Sequence, residues 1–336
     1  MKKDSKEFRI GVGLAACALL ASALLYLTSL RGKTASASPA PELLSALPAG
    51  APTLVYLDLT AIRASSFYQH RPDKGPIAVP NQEYADFVSS TGFDFEKDLD
   101  RVVVASWSAS GNEPRKIVAI AEGRFDRAKI RDYATRKGKL DRQQGRDVFL
   151  FPANDRVGFS SVIFIDEHRI AIVAGPSIAP LFAGHSDDPA ADPARERAAR
   201  LDGAAAFVIT RVPPAPDNFA PGGAPSTQLA SLARSVQWIT LAARPEGEDL
   251  RLSLEGECDN STNALQLKSA LEILRMFGRA GLDSPKTRQS TDPAALAMLQ
   301  TLLTTAEVTQ AAERVRILVE ITPDVWKLSG PAKQPH

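Results

Sequence analysis

The pattern of apolar and polar positions changes sharply at residue 30. Ile10 to Leu30 is an unbroken run of 21 residues without a charge. At the rise of an α-helix this run is about 31 Å long, close to the hydrocarbon thickness of a bilayer. Because every backbone polar group must be paired within lipid, the run predicts one transmembrane helix over residues 10–30.

Basic residues flank this run unequally. Four lie before it, within residues 1–9, whereas only Arg31 and Lys33 follow it closely. Because basic residues favour the cytoplasmic side of a membrane, the bias predicts a cytoplasmic tail over residues 1–9 and an exported body.

Two alternatives to an uncleaved anchor concern the same run. Ala35-Ser36-Ala37 has the small-x-small form of a signal-peptidase site, which would remove residues 1–37. The apolar run is longer than the core of a usual signal peptide, which favours the anchor. Leu14-Ala15-Ala16-Cys17 has the form of a lipoprotein signal, but uncharged residues rather than a polar tether follow it. We interpret Cys17 as an apolar residue of the helix, and both alternatives stay open.

The polar and apolar pattern after residue 53 is that of strands and amphipathic helices, and two short matches indicate an internal duplication. Glu122–Asp126 recurs as Glu255–Asp259, and Ile170–Ile178 recurs as Ile317–Val325. Each match lies where a predicted strand ends and a helix begins. The aspartates that end the first match are suited to cap those helices. The predicted fold is therefore α+β, with two tandem pseudo-repeats of antiparallel sheet and helices packed on one face. Each repeat contains a ferredoxin-like βαββαβ order.

Composition divides the rest of the chain. Residues 31–52 are rich in Ala, Ser and Pro, and predict a stalk. The predicted repeats span residues 53–184 and 204–330. Residues 185–203 are a polar connector, and residues 331–336 are a tail.

The predicted helix over residues 260–278 has a regular apolar stripe. Four apolar residues recur along it at spacings of three or four, which places them on one side of the helix. We expect this side to pack on a sheet. The four residues are Leu267, Leu271, Leu274 and Phe277.

Composition and charge exclude several classes of protein. The 336 residues include 40 basic and 39 acidic side chains, and 24% of the residues are charged. These proportions are those of a folded protein rather than a disordered one. The near-neutral charge argues against nucleic-acid binding. Cys258 is the one cysteine outside the apolar run, so the exported part cannot form an internal disulfide.

Sequence patterns for catalysis are absent. The chain has no P-loop, G-x-G-x-x-G, H-E-x-x-H, C-x-x-C or G-x-S-x-G motif. Asp166-Glu167-His168 lies between two predicted strands, and we interpret it as a hairpin turn. His185-Ser186-Asp187-Asp188 lies in the connector without a second cluster of metal ligands. We therefore expect no catalytic residue, no cofactor and no metal site, and the patterns favour a non-catalytic protein over an enzyme.

Residues 124–146 are locally basic, with nine basic and three acidic side chains. Such an excess can contact anionic lipid or an acidic partner. The alternative interpretation is a solvated helix face followed by a hairpin.

The candidate partner-binding residues lie in two long loops. In each predicted repeat an irregular segment follows the first strand, and long loops on rigid scaffolds often carry binding. The candidates are Phe67, Tyr68 and His70 in the first loop and Phe219 in the second. The alternative is that the aromatic residues cover the ends of the sheet.

The start of the body resembles a group of bacterial envelope proteins of unknown function. The resemblance is carried by Leu44-Ser45-Ala46-Leu47-Pro48-Ala49-Gly50-Ala51-Pro52, then Val55-Tyr56-Leu57-Asp58-Leu59 and Ala61-Ile62-Arg63. Those proteins have one N-terminal membrane segment and an exported α+β body. The resemblance implies a bacterial inner-membrane protein that crosses the membrane once, with a cytoplasmic N-terminus and a periplasmic or extracellular body. It implies no activity and no site residues.

The leading hypothesis is a membrane-anchored extracytoplasmic protein whose body is a non-catalytic binding or scaffold module of the cell envelope. Its expected partners are the membrane, through residues 10–30, and another envelope protein, with no nucleic acid. One alternative is a hydrolase whose site assembles from distant carboxylates, which predicts converging carboxylates in a deep pocket. Another is a carrier of an apolar ligand, which predicts an apolar cavity between the two repeats.

Overall fold

The computed structural model describes residues 41–70, 82–107, 116–152, 158–184, 192–213, 234–285 and 293–324. The predicted transmembrane segment at residues 10–30, the candidate residue Phe219 and the segment His185–Asp188 lie outside the described residues. Among the helices of the described ranges, none combines the length and the apolar character needed to cross a bilayer.

The described strands form one sheet. In chain order they are β1 Thr53–Asp58, β2 Leu99–Trp107, β3 Lys116–Gly123, β4 Lys139–Gln143, β5 Arg146–Pro152, β6 Phe159–Phe164, β7 Arg169–Ala174, β8 Ala206–Arg211, β9 Val236–Glu246, β10 Asp249–Cys258, β11 Glu307–Ala311 and β12 Arg314–Ile321. Across the sheet the order is β11-β12-β10-β9-β8-β1-β2-β3-β7-β6-β5-β4. All neighbouring strands are antiparallel.

The predicted fold class is wrong in its architecture, although an α+β fold is confirmed. The prediction was two tandem ferredoxin-like repeats behind a transmembrane helix, whereas the described strands join into a single 12-stranded sheet. A split βαβ unit needs two parallel strands, but β1 pairs antiparallel with both β2 and β8. The physical reason is edge pairing: the β1–β8 ladder hydrogen-bonds backbone groups that would be exposed edges in two separate sheets.

The helices lie on both faces of the sheet. In chain order they are α1 Pro41–Ser45, α2 Leu59–Ala64, α3 Ser66–Gln69, α4 Gln82–Thr91, α5 Phe95–Asp98, α6 Arg127–Lys137, α7 Ala179–Phe182, α8 Pro193–Ala198, α9 Ser261–Leu282 and α10 Pro293–Thr305. Asp126 caps α6 as predicted, since its side chain accepts a hydrogen bond from the backbone N–H of Lys129 at 3.1 Å. The cap of α9 is Asn260 rather than the predicted Asp259, and it accepts from the N–H of Asn263 at 2.9 Å.

Because side chains alternate along a strand, the sheet has two distinct faces. We name the Tyr56 face and the Val55 face after adjacent residues of β1. On the Tyr56 face, the ring of Tyr56 stacks on that of Phe207 across the β1–β8 pair, at 5.2 Å between centroids. The segment 41–52 and the short helices α7 and α8 cover this aromatic core.

Part of the predicted stalk belongs to the folded body. Leu43, Leu44 and Leu47 are buried in the core of the Tyr56 face. Asp192 ties this segment to the body because one carboxylate oxygen accepts from the N–H of Gly50 at 3.1 Å, while the other caps α8. The domain boundaries at residues 53–184 and 204–330 stay predictions.

The residues that carry the resemblance have structural contacts. Gly50 has a positive φ of +74°, which glycine adopts without strain. Asp58 is buried and caps α2 through a 2.7 Å hydrogen bond from the N–H of Ala61. Arg63 donates to the backbone carbonyls of Glu96 and Leu99, which ties α2 to the start of β2. The segment therefore forms one structural unit at the N-terminal end of the fold.

Candidate functional site

A continuous row of apolar side chains crosses the whole Val55 face. Each member lies directly opposite the next in the strand register, and every strand contributes one residue. From β4 to β11 the row is Leu140, Phe149, Val162, Ile172, Ala119, Val104, Val55, Val208, Leu241, Leu254, Ile317 and Val308. Such an unbroken apolar row on an antiparallel sheet is typical of a face that is packed against another layer.

The middle of this row is only partly covered. Phe149 and Val308, near the two ends, are buried, whereas none of the seven residues from Ile172 on β7 to Leu254 on β10 is buried. The end members of this stretch are 38% and 41% exposed. We call these seven residues the open row. At the usual strand spacing the open row is about 29 Å long.

Helices border the open row at each end. Near one end α6 packs on β4 and β5, and its Tyr133 stacks over Phe151 at 6.5 Å between centroids. At the other end α9 packs on β10, β11 and β12. Along one side, α2 and α3 cover the adjacent apolar row, in which Ala206 and Ala243 are buried with Phe67. The open row therefore forms the floor of a trough in the helical layer.

The predicted apolar stripe of α9 is divided between the core and solvent. Leu267 and Leu271 pack on the core of β11 and β12, as predicted. Leu274 and Phe277 are exposed, Phe277 by 64%, so the prediction for them is wrong. A methyl group at Gly256 on β10 would lie 3.9 Å from Leu267, so that side of α9 faces the middle of the sheet. Leu274, two turns further on, lies on the same side of the helix.

The polar groups beside the open row are paired with one another. On the row next to it, the hydroxyls of Thr53 and Thr210 are 2.8 Å apart across the β1–β8 pair. Ile239 continues that row on β9 and is exposed. Recognition in the trough would therefore depend on apolar contact and shape rather than on a charged or metal-binding group.

The Tyr56 face becomes charged over β9, β10 and β12. Glu255 accepts two hydrogen bonds from the guanidinium of Arg316, at 2.6 and 3.0 Å. Glu257 accepts from Arg197, whose guanidinium also lies 4.3 Å from the ring centroid of Trp238. Since each carboxylate is held by a guanidinium, these carboxylates have structural partners and do not converge on a common point.

The predicted turn at Asp166-Glu167-His168 is confirmed. It joins β6 to β7, and Asp166 accepts from the N–H of His168 at 2.9 Å and from Arg169 at 2.5 Å. Burial would raise the pKa of Asp166, but these hydrogen bonds hold the pKa below its ordinary value. The carboxylate is therefore a turn-stabilising anion rather than a proton donor.

A concavity of about 550 Å³ opens to solvent beside this turn. Its lining side chains already have structural contacts: Phe125 stacks on Phe93 at 5.2 Å, and Arg127 lies over the ring of Phe164 at 4.9 Å. Hydrogen bonds from Lys129 lower the pKa of Asp126, which caps α6. The lining residues are Arg124, Phe125, Asp126, Arg127, Glu167 and His168.

The structure separates the predicted partner-binding residues. Phe67 and Tyr68 lie on the short helix α3 rather than in a loop, Phe67 fully buried and Tyr68 partly buried, and His70 is exposed at the end of α3. Phe219 lies outside the described residues. In the described ranges, no group of three or more His, Cys, Asp or Glu side chains is placed to hold a metal ion. The open row was missed from the sequence, although the alternation of apolar residues in its strands was the available signal.

Cys258 is buried at the end of β10, and burial raises the pKa of its thiol, partly offset by a hydrogen bond from Ser235. We expect Cys258 in the folded Cys17→Ala chain to react with a maleimide at pH 8 roughly tenfold or more slowly than in the urea-unfolded chain. Mass spectrometry of timed samples gives both rates. Equal rates would contradict the buried position of Cys258.

Comparison with known proteins identifies no family. No protein-family model matches the chain, and no curated protein matches it. Three crystal forms of TP0453 have similar structures. Form III shares 11% sequence identity with this chain at a TM-score of 0.45, and the matched region covers 88% of this chain and 98% of the TP0453 chain. Form I shares 11% sequence identity at a TM-score of 0.43, and the match covers 88% of this chain and 97% of the TP0453 chain. Form IV shares 9% sequence identity at a TM-score of 0.46, and the match covers 85% of this chain and 95% of the TP0453 chain. At TM-scores below 0.5 these similarities carry no argument about function.

Proposed function

We propose that the chain is a single-pass, membrane-anchored protein of the bacterial inner membrane whose exported body is a non-catalytic binding module of the cell envelope. The open row is the observation that carries this proposal. It is an apolar strip about 29 Å long in which none of the seven side chains is buried. Contiguous exposed apolar surface of this kind marks interaction sites in folded proteins.

Burial of the open row against a partner would be energetically favourable. Ile172 and Leu254 are each about two-fifths exposed, and complete burial of such a side chain stabilises by about 1 kcal/mol. The other five members add smaller amounts because they are already partly covered. The location rests on the apolar run at residues 10–30 and the basic residues before it, which favour an anchor with an exported body.

The deepest described carboxylates support a non-catalytic role. Asp58 and Asp192 cap helices, and Glu255 is held by Arg316. Each carboxylate thus already stabilises the fold, and none faces the trough. The hydrolase alternative has no observation in its favour.

A carrier of an apolar ligand is the second candidate function, and the composition of the open row favours it. All seven side chains are aliphatic, and the trough floor would contact a hydrocarbon chain without burying an unpaired polar group. A carrier and a protein-binding module differ in the mass of the molecule that occupies the trough.

We expect a benzoylphenylalanine at position 254 to crosslink to a bound molecule in intact cells, whereas the same residue at position 253 does not. Leu254 points from β10 into the trough, and Ser253 is its neighbour on the Tyr56 face, so the pair is matched in strand and depth. Mass spectrometry of the purified adduct identifies the molecule.

The adduct distinguishes the two functions. A protein adduct specific to position 254 supports the binding module, and an adduct of lipid mass supports the carrier. Equal crosslinking at positions 253 and 254, or no adduct at either, would contradict a binding role for the open row.

A further inference from the structure

The Val55 face carries both a basic and an apolar helix on the same side of the sheet. α6 has five basic residues and one acidic residue. Its position on this face is established by Tyr133 against Phe151 and by Arg127 over Phe164, since both phenylalanines point to the Val55 side. Arg131 and Arg136 are exposed on its outer surface. Five of the nine basic residues of segment 124–146 therefore lie on α6 at one end of this face, whereas Arg146 lies against Phe182 on the opposite side.

α9 presents apolar side chains to solvent at the other end of the face. Met276 is 60% exposed, and further exposed apolar residues extend along the 22-residue helix. They are Leu265, Ile273, Leu274 and Phe277. The helix also has three basic residues and one acidic residue. A helix with a broad apolar surface and a basic flank is typical of helices that lie in the interfacial region of a membrane.

The Tyr56 face has a smaller exposed apolar surface among the described residues, with Phe159 on β6 and Phe182 on α7 each 40% exposed. Segment 41–52, α7 and α8 cover its apolar half. Its other half carries acidic and basic side chains that pair with each other, as Glu255 does with Arg316. Lys129 and Lys137 of α6 pair with Asp126 and Asp86. The Val55 side therefore offers the exposed Arg131 and Arg136 and the larger apolar surface of α9, which together are complementary to an anionic lipid surface.

The length of the tether permits this contact. The predicted anchor ends at Leu30, and the described fold begins at Pro41 on the Tyr56 face, so residues 31–40 join the two. Ten residues span at most about 33–36 Å when extended. The covering segment, the sheet and the helices of the Val55 face together are about 30 Å thick, so a nearly extended tether can reach the opposite face.

We infer that the Val55 face lies on the anionic surface of the membrane that the predicted anchor spans. The exposed side chains of α9 enter the headgroup region, and the basic side chains of α6 are attracted to the lipid charge. The inference rests on the proposed function for the anchor and names lipid as the partner of this face, so that the body lies flat on the bilayer rather than standing away from it.

The test uses the full chain reconstituted into vesicles that contain phosphatidylglycerol and phosphatidylcholine. Cys17→Ala and Cys258→Ala remove the two native thiols, and a single new cysteine carries an environment-sensitive fluorophore. The test variant is Met276→Cys on α9, and the matched control is Glu320→Cys, which is exposed on the Tyr56 face of β12. Lipids with a spin label in the headgroup region quench a fluorophore that touches the membrane. We expect roughly half of the fluorescence at position 276 to be quenched and about none at position 320.

Charge supplies a second readout. We expect Arg131→Glu on α6 to reduce quenching at position 276, while Arg211→Glu, an exposed arginine on the Tyr56 face, leaves it unchanged. High salt or vesicles of phosphatidylcholine alone should also reduce it, because exposed charges are screened over about 10 Å at 0.1 M salt.

Several outcomes would overturn the inference. Equal quenching at positions 276 and 320 would contradict a sided contact. A fluorophore at position 276 that is shielded without being quenched would show a protein partner or a second copy of the chain there instead of lipid. Crosslinking from position 254 without quenching at position 276 would refute the membrane contact and leave the proposed function standing. Quenching without any crosslink would refute the proposed function and leave the membrane contact standing. A lipid adduct at position 254 together with quenching at position 276 would support the membrane contact, whereas a lipid adduct without quenching would support the carrier.

Discussion

Replacing Asp192 by Ala is expected to lower the free energy of unfolding by about 3–5 kcal/mol, because it leaves a mostly buried guanidinium without its anion. Asp192 is fully buried. Its Oδ1 caps α8 by accepting hydrogen bonds from the N–H groups of Ala194 and Arg195. Its Oδ2 accepts a hydrogen bond from the N–H of Gly50 and lies 3.4 Å from Nε of Arg195. The substitution therefore removes the cap, the partner of Arg195 and the link to segment 41–52 together. Urea unfolding of the detergent-solubilised chain, followed by circular dichroism, measures the loss.

Two control variants make this prediction specific. Asp192→Asn keeps an oxygen that can cap α8 but removes the charge, so its loss should be smaller. Asp132→Ala removes a carboxylate exposed on α6 and should change the free energy of unfolding by no more than about 0.5 kcal/mol. Similar stability of Asp192→Ala and Asp132→Ala would show that segment 41–52 is not held to the body through Asp192.

Replacing Phe67 by Ala is the second change with a large expected effect, a loss of about 3–5 kcal/mol in the free energy of unfolding. Phe67 has no exposed surface, and it packs among Ala206, Ala243 and Leu250 under α3. The alanine residues around it cannot fill the space that a phenyl ring leaves. The same urea unfolding experiment measures this loss.

Tyr68 on α3 and His70 at the end of α3 provide the comparison. Tyr68→Ala should destabilise less because Tyr68 is only partly buried, and His70→Ala should be nearly neutral because His70 is exposed. If Phe67→Ala were as stable as His70→Ala, the burial of Phe67 would be contradicted. Partner binding through Tyr68 and His70 stays a prediction. If His70→Ala retained crosslinking from position 254, binding in the trough would not depend on His70.

The open row and α9 together suggest how the fold combines rigidity with an exposed apolar surface. The ladders between β8, β1 and β2 hold the members of the open row in register across these strands. The core on the Tyr56 face supports it from behind, with Tyr56 and Phe207 directly under Val55 and its neighbours. An apolar surface that is exposed but backed by a packed core can bind without first ordering its own side chains, which lowers the entropic cost of association.

Local features of this protein were predictable because they depend on near neighbours in sequence. The helix predicted over residues 260–278 is present as Ser261–Leu282, the cap at Asp126 is confirmed, and Asp166 forms the expected turn. Helix periodicity, capping and turn formation each involve groups within a few residues of one another. An apolar run without charges, such as residues 10–30, is a signal of the same local kind.

The pairing of β1 with β8 could be decided only in three dimensions. The strands are separated by about 150 residues, and both have two hydrogen-bonding edges that would suit many antiparallel partners. The sequence therefore predicted two sheets where the structure has one. Edge pairing is a competition among all the strands of the chain, and no local pattern records its result.

The sequence by itself determined which residues are apolar and how they alternate along each strand and helix. Only the tertiary structure decided which of them are covered. Leu267 and Phe277 belong to one apolar stripe of α9, yet Leu267 packs on the sheet and Phe277 faces solvent. Likewise Val55 lies in the open row and Tyr56 in the core, although they are adjacent on β1. The physical reason is that burial depends on what packs against a surface, and the helices and segments that cover each face come from distant parts of the chain.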